Sequence, residues 1–359
     1  MDHSFYSLAI SLIYRLGPLK YKELVSKFNT PVNAWIELTE IKENLSFKIS
    51  FDKKQLIKQT EKTIEWLTKN NIEYISLWDN NYPVLLKEIY TPPAVLFYKG
   101  DLDKLYKTCI GIVGTRRPTS YGSKATNMIA RQLASAGINI ISGLASGIDT
   151  IAHKAALQEG DTTAVLPTGF DKIYPTGNTK LVDEITEKSL VITEIPPFYT
   201  IKTGNFYQRN RIIAGLSRAV IITEAPKKSG ALITANFALE ENREIYALPG
   251  PIDSQKSEGC NNLLKNGANI FTDTDSFLED INFNGKSNNN IIDIVSLNEE
   301  EIIVLEEIGD SNTHIDDILR KTGLNFGKVS SVLFNLEYKE IITEIPGGYY
   351  QKTGLYNVK

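Results

Sequence analysis

TCIGIVGTRRPTSYGSKATNMIARQLASAG, residues 108–137, is the stretch on which the fold turns. The apolar run 108–113 reads as a buried strand, Gly114 ends it, and a helix opens near Ser120, a favoured N-cap residue. Ala125, Met128, Ile129, Leu133 and Ala136 recur at helical period as its inward face, and Gly137 stops it. Strand, glycine turn and helix in that order make the opening of a βαβ unit. The loop between them therefore lies at the carboxyl end of a strand.

The alternation continues along the chain. INIISG (138–143), TTAVLP (162–167), LVITEI (190–195), AVIITEA (219–225) and EIYALPG (244–250) read as strands, separated by helical segments such as IDTIAHKAALQEG (148–160) and GALITANFALEEN (230–242). Each crossover between parallel strands is right-handed and lays a helix on the sheet. Residues 108–281 are thus predicted as an α/β domain, a Rossmann-like doubly wound parallel sheet with helices on both faces. Ligands of such sheets sit where strands turn into helices.

Working outward, residues 1–70 read as short helices. Leu8, Leu12, Ile13 and Leu16 keep a helical period, Gly17-Pro18 breaks it, and Tyr21, Leu24, Val25 and Phe28 resume it. Such a hairpin can hold a duplex backbone through its turn amides, but packing is the simpler role. Residues 71–107 are expected to be a connector, because Pro92-Pro93 forbids a helix there. The polar run NFNGKSNNN marks a linker over 282–296. Its Gly-Lys-Ser is a decoy: Asp280 stands where a P-loop needs its first glycine. Residues 297–359 give helices at 298–308, 314–321 and 326–338, then a hairpin turning at Gly347-Gly348, the order of a winged helix.

No apolar run is long enough to cross a membrane, and the amino terminus lacks signal-peptide features, so a cytoplasmic protein is expected. Cys109 and Cys260 fit no metal or disulfide spacing. The net charge is -4, which argues against a uniformly basic nucleic-acid binder. Local signs differ. Residues 108–131 hold Arg116, Arg117, Lys124 and Arg131 with no acid, and 202–228 hold six cations against Glu224 alone. Residues 282–359 instead carry 7 Lys+Arg and 12 Asp+Glu. Phosphate contact demands cation excess, so the winged helix is read as a protein-contact or structural element.

Four strand ends carry the chemistry. In the opening loop, amides at Gly114, Thr115 and the helix start can bind an anion, and Arg116 and Arg117 add forked cations. Neither G-x-G-x-x-G nor a P-loop is present, and the next strand ends at Ser142 rather than at the acid that would hold a ribose. At the second end, Gly143 and Gly147 allow close backbone approach, and Asp149 favours a helix N-terminus. The third, LPTGFDKIYPTGN, presents Gly169, Tyr174 and Asn178. The fourth, NFYQRNRIIAGLSRAV, sets Phe206 and Tyr207 before Arg209, Asn210 and Arg211, although Phe206 serves equally well as a core residue. Aromatic faces beside guanidinium forks suit single strands, whose bases stack while arginines hold phosphates. His153, inside a helix, is read as core packing.

Catalytic constellations are missing: there is no H-E-x-x-H and no G-x-S-x-G, and the three histidines are scattered one per domain. Binding without a cofactor or metal is expected rather than catalysis. One enzymatic alternative is a nucleotide phosphoribohydrolase, whose P-G-G-x-G-T-x-x-E signature supplies a glutamate. APKKSGALITANFALE (225–240) lacks the Gly-Gly pair and has Ala235 where that glutamate is required. The other alternative is a winged-helix regulator, against which the acidic winged helix counts.

VGTRRPTSYG, SGLASGIDTIAHKAAL, GFDKIYPTGN, FYQRNRIIAGLSRAVIITEA, SGALITANFALEENREIYALPGP and GCNNLLKNGANI, in this order, resemble the DNA-processing protein A (DprA/Smf) family. The resemblance spans the whole central domain. It implies a sterile-alpha-motif-like helical domain in front, a winged helix behind, and no catalysis. It also implies single-stranded DNA binding, homodimers, and loading of RecA recombinase onto incoming strands in natural transformation, with displacement of single-strand-binding protein. By motif, Gly114, Thr115 and Arg116 would line the DNA pocket with the turns at Gly143 and Gly169 nearby, and Arg209, Asn210 and Arg211 match the arginine-rich stretch. Ser146 and Thr176 depart from commonly basic positions, with Lys172 and Lys180 the nearest substitutes.

Overall fold

β-branched and aliphatic runs that are buried along their whole length build the centre of the molecule. In the computed structural model, residues 3–283 and 297–352 are described, apart from 15, 42–44, 48, 309–312, 340 and 346. Most of the expected 282–296 linker, with its Gly-Lys-Ser, therefore lies outside the described residues. Contacts divide the chain into two compact units, 1–285 and 286–359.

The first unit begins with helices α1 (His3–Ser11), α2 (Gly17–Lys27), α3 (Pro31–Ile36) and α4 (Lys53–Lys69). Gly17, at φ +67°, makes the break and Pro18 falls in the first turn of α2, where its missing N–H costs nothing. Then follow β1 (Glu73–Ser76), α5 (Val84–Glu88), β2 (Val95–Gly100), β3 (Cys109–Val113), α6 (Ser120–Ser135), β4 (Asn139–Ser142), α7 (Ile148–Glu159) and β5 (Thr162–Val165). α8 (Thr179–Lys188), β6 (Leu190–Thr193), α9 (Thr203–Leu216), β7 (Ala219–Ile222), α10 (Gly230–Glu240), β8 (Glu244–Ala247), α11 (Glu258–Lys265), β9 (Asn269–Ile270) and α12 (Thr274–Asp280) complete it.

Nine strands form one sheet in the order β1-β2-β6-β5-β4-β3-β7-β8-β9. The run from β6 to β9 is parallel, as the alternation predicts. The expected connector 71–107 is corrected: it supplies β1 and β2, which add an antiparallel edge to β6. The prolines only end α5 and start β2; they do not keep the segment out of the sheet. The amino-terminal helices pack on this sheet, with Ile10, Tyr21, Leu24 and Trp35 in one apolar cluster with Leu96, Val113 and Val220. On α6 the expected inward face is also corrected at Met128, which is half exposed.

The second unit contains α13 (Glu299–Glu307), β10 (Thr313–His314), α14 (Ile315–Thr322), α15 (Phe326–Tyr338), β11 (Ile342–Ile345) and β12 (Tyr349–Lys352). Its three-stranded sheet, β10-β12-β11, closes through Gly347 and Gly348, both at positive φ, as a tight primed turn requires. Val304, Ile318, Val329, Leu333 and Leu336 make a separate core. This is a winged helix.

Candidate nucleic-acid interface

Strand order reverses direction between β3 and β7, and a Rossmann-like sheet ordinarily takes a nucleotide phosphate there, on the N-terminus of the following helix. In this chain that position is filled from within. Glu224, just beyond β7 and 3% exposed, accepts the Thr119 amide at 2.8 Å and the Thr119 hydroxyl at 2.6 Å. A Cβ on Gly122 would meet its carboxylate at 2.7 Å. Thr119, rather than Ser120, caps α6, accepting the Gly122 amide at 3.1 Å. Thr115 donates its amide to the Glu224 carbonyl at 2.8 Å, and its hydroxyl accepts the Arg117 amide at 3.3 Å. The expectation that amides at this helix start receive a ligand anion is therefore corrected at three positions: the Thr119 amide is held by the Glu224 carboxylate, the Gly122 amide by the Thr119 hydroxyl and the Thr115 amide by the Glu224 carbonyl.

The open pocket lies to one side, beyond β3, β4 and β5. Arg116, Gly143, Ala145, Ser146, Pro167, Tyr174, Pro175, Phe206 and Arg209 line it. Arg116 is exposed and reaches it from the β3–α6 loop, whereas Arg117, also exposed, does not line it. Gly114 and Gly147 let the loop lie down. A Cβ on Gly114 would come within 2.6 Å of Ile148, and Gly147, at φ +86°, leaves no room for one beneath the Thr115 and Arg116 backbone.

Arg209, on α9, forms the floor at 7% exposed. Its guanidinium donates to the carbonyls of Gly143 and Val165, and its Nε donates to Asn210 Oδ1 at 3.1 Å. Gly143 must be glycine for this, because a Cβ would lie 2.5 Å from the guanidinium carbon. The neighbouring charge is Asp149, whose carboxylate accepts the amides of Gly143 at 3.2 Å and Ala145 at 3.3 Å. Burial raises the Asp149 pKa, with Arg209 and those amides opposing the rise. Burial likewise lowers Arg209 to about 10, with Asp149 opposing and the positive charge of Arg116 adding to the fall. Two like charges thus approach one another over a single carboxylate. An anion placed between them would relieve that imbalance.

Aromatic rings form the pocket's other wall. Tyr174, 44% exposed, meets Phe206 edge to face with centroids 5.2 Å apart. Phe206 is therefore a wall residue and not part of the core.

Several expected site residues sit elsewhere. Ser142 is fully buried and its hydroxyl donates to the Ile112 carbonyl at 2.6 Å, tying β4 to β3. Asn178 donates to the Leu144 carbonyl and to Thr150 Oγ1, both at 2.8 Å, and so holds the Tyr174 loop against the β4–α7 turn. Gly169 leaves space for Asp171. Asn210 orients Arg209 from a buried position. Arg211 is corrected outright: it is 2% exposed, pairs with Glu194 and donates to the Thr91 carbonyl, away from the pocket. Residues separated by two on a helix point about 200° apart, so Arg209 and Arg211 cannot face one ligand. That spacing was readable in the sequence once α9 was recognised as a helix. The sequence marked Glu224 only as the lone acid of 202–228 and Asp149 only as a carboxylate at a helix start; it did not show the Thr119 contact of the first or the nearness of the second to Arg209.

The profile of the family described as DNA recombination-mediator protein A matches residues 73–282, more than half of the chain. The chain belongs to this DprA/Smf family. A profile for the DprA winged helix domain matches residues 294–348. Protein Smf of Synechocystis is 35% identical and the match covers 97% of this chain and 98% of its own. Among solved structures, DNA processing protein A from Streptococcus pneumoniae aligns with a TM-score of 0.63 at 36% identity, over 78% of this chain and 97% of its own. DNA processing protein A from Helicobacter pylori, whose structure is described as giving insight into a unique single-stranded DNA binding mode, aligns with a TM-score of 0.54 at 33% identity. That alignment covers 58% of this chain and 95% of the other.

Proposed function

We propose that this family member binds single-stranded DNA in the Arg116–Arg209 pocket and acts as a recombination mediator. In this reading it delivers strands to RecA recombinase during transformation, displaces single-strand-binding protein, and works as a cytoplasmic homodimer without catalysis. The observation that carries the DNA reading is the convergence of two guanidiniums and two rings on one opening, while Glu224 closes the nucleotide position. A mononucleotide needs a phosphate seat at the helix start; a polymer needs cations and stacking surfaces along a path. The single-stranded DNA binding reported for the Helicobacter pylori relative supports the same assignment.

Fluorescence anisotropy with oligo-dT and a matched duplex, at two salt concentrations, tests it. Wild type is expected to prefer the single strand. Arg116→Ala is expected to bind about ten-fold more weakly, since a charge-assisted hydrogen bond contributes about 1.5–3 kcal/mol. It should also flatten the log-log salt slope by about 0.7, the value for one lost contact to a single strand. Equal affinity for duplex, or an unaffected variant, overturns the reading. RecA filament growth on strands coated with single-strand-binding protein tests the mediator role; no acceleration by this protein removes it.

A further inference from the structure

The loop between β6 and α9 contains a residue in an unfavourable backbone conformation that gains no burial from it. Phe198 has φ +67°, the left-handed region that bulky side chains rarely adopt, yet its side chain is 51% exposed. Such strain costs about 1–3 kcal/mol and persists only where the surroundings impose it. Here the Phe198 amide donates to Asp171 Oδ2 at 3.0 Å, which fixes the loop to the segment that carries Tyr174. The ring is displayed at the surface.

Its surroundings combine rings with cations. Trp66 of α4 meets Phe198 edge to face with centroids 5.6 Å apart. Lys62, one turn earlier on α4, places its ammonium 5.1 Å from the Phe198 ring centre, and Lys202 places its own 5.7 Å from that of Tyr199. Neither lysine has a carboxylate within ion-pair distance among the described residues. Lys202 is the residue preceding α9, and Phe206 of the pocket lies four residues on, about 6 Å along the helix. Aromatic faces interleaved with ammonium groups that no carboxylate neutralises among the described residues therefore lie between Phe206 and α4.

We infer that the strand held at Arg116 and Arg209 continues over Lys202 onto Phe198 and α4. There, bases stack on Phe198 and Trp66, and Lys62 meets a phosphate. The amino-terminal helices thereby form a second contact segment for the same single-stranded DNA. This rests on the reading of the pocket as a DNA site.

The test compares oligo-dT of about 5 nucleotides, enough for the pocket, with one of about 15 nucleotides that reaches α4. Wild type, Arg116→Ala and the double variant Phe198→Ala with Lys62→Ala are titrated, with thermal melts to verify folding. The double variant is expected to lose about ten-fold in affinity for the longer strand and to retain its affinity for the shorter. Its salt slope on the longer strand should fall by about 0.7. Trp66 emission should be quenched by the longer strand and not by the shorter, and Trp66→Phe should abolish the difference. If Arg116→Ala weakens both strands while the double variant binds the longer one like wild type, the extension fails and the pocket stands. If wild type binds neither strand, both fall.

Discussion

A guanidinium buried as deeply as Arg209 binds nothing unless its neighbours hold it still and leave one side open. Two carbonyls, the Asn210 side chain and the Asp149 charge fix it, and the pocket it lines with Arg116, Tyr174 and Phe206 is the open side. Ser146 lines the same opening and carries no charge. A cation there would face the phosphate proposed at Arg116 and add one more ionic contact. Ser146→Arg is accordingly expected to raise affinity for oligo-dT several-fold and to steepen the salt slope by about 0.7. An unchanged slope in a salt titration would show that residue 146 does not face the strand's backbone. At this scale the sequence was legible at Arg116, whose charge and place just beyond β3 are read directly from the chain. It was opaque where the partner is remote, as for Glu224 beneath Thr119, 105 positions away.

Elements were legible in proportion to their periodicity. Five fully buried strands, β3 to β7, announced themselves as apolar runs, because strands covered on both faces carry few alternating polar residues, and the half-buried β8 was read beside them. β1 escaped because it is a half-exposed edge strand, and β2 because the Pro92-Pro93 pair before it reads as a break. Between α7 and β5 the packing has a consequence for pH. His153 on α7 is fully buried, with Nδ1 2.7 Å from Thr162 Oγ1 of β5. Burial, helped by the charge of Arg209, lowers its pKa from 6.5 to about 3. The unfolded chain protonates this imidazole below about pH 6.5 while the folded chain does not, so the unfolded state binds more protons in that window. Its contribution to stability is complete above pH 6.5 and is lost as pH falls towards 3, at up to about 1.4 kcal/mol per pH unit. Urea melts at about pH 7.5 and about pH 5 should show a loss near 2 kcal/mol that His153→Gln does not share. Equal acid sensitivity in the variant would assign the loss to other groups.

Over the whole molecule, acid excess is concentrated in the second unit, with 7 Lys+Arg and 12 Asp+Glu over 282–359. The winged helix has the fold of a DNA reader, but among the described residues four of its five cations are paired with its own carboxylates. Lys328 pairs with Glu300, Lys339 lies 2.7 Å from Glu301, Lys321 3.3 Å from Glu307, and Arg320 2.5 Å from Asp317. Phe334 and Tyr338 stand exposed on α15, the helix that a DNA-binding winged helix would lay in a groove. A protein surface suits that face better than phosphate does. Each paired lysine would have to exchange a carboxylate for a phosphate, a trade that releases little free energy in water. A chain ending at residue 285 is therefore expected to bind oligo-dT within about two-fold of the full chain and with the same salt slope, since no counterion-releasing contact is removed. Anisotropy titrations of the two chains at two salt concentrations measure both quantities. A ten-fold loss together with a shallower slope would place phosphate contacts on the winged helix and return it to the class of DNA readers.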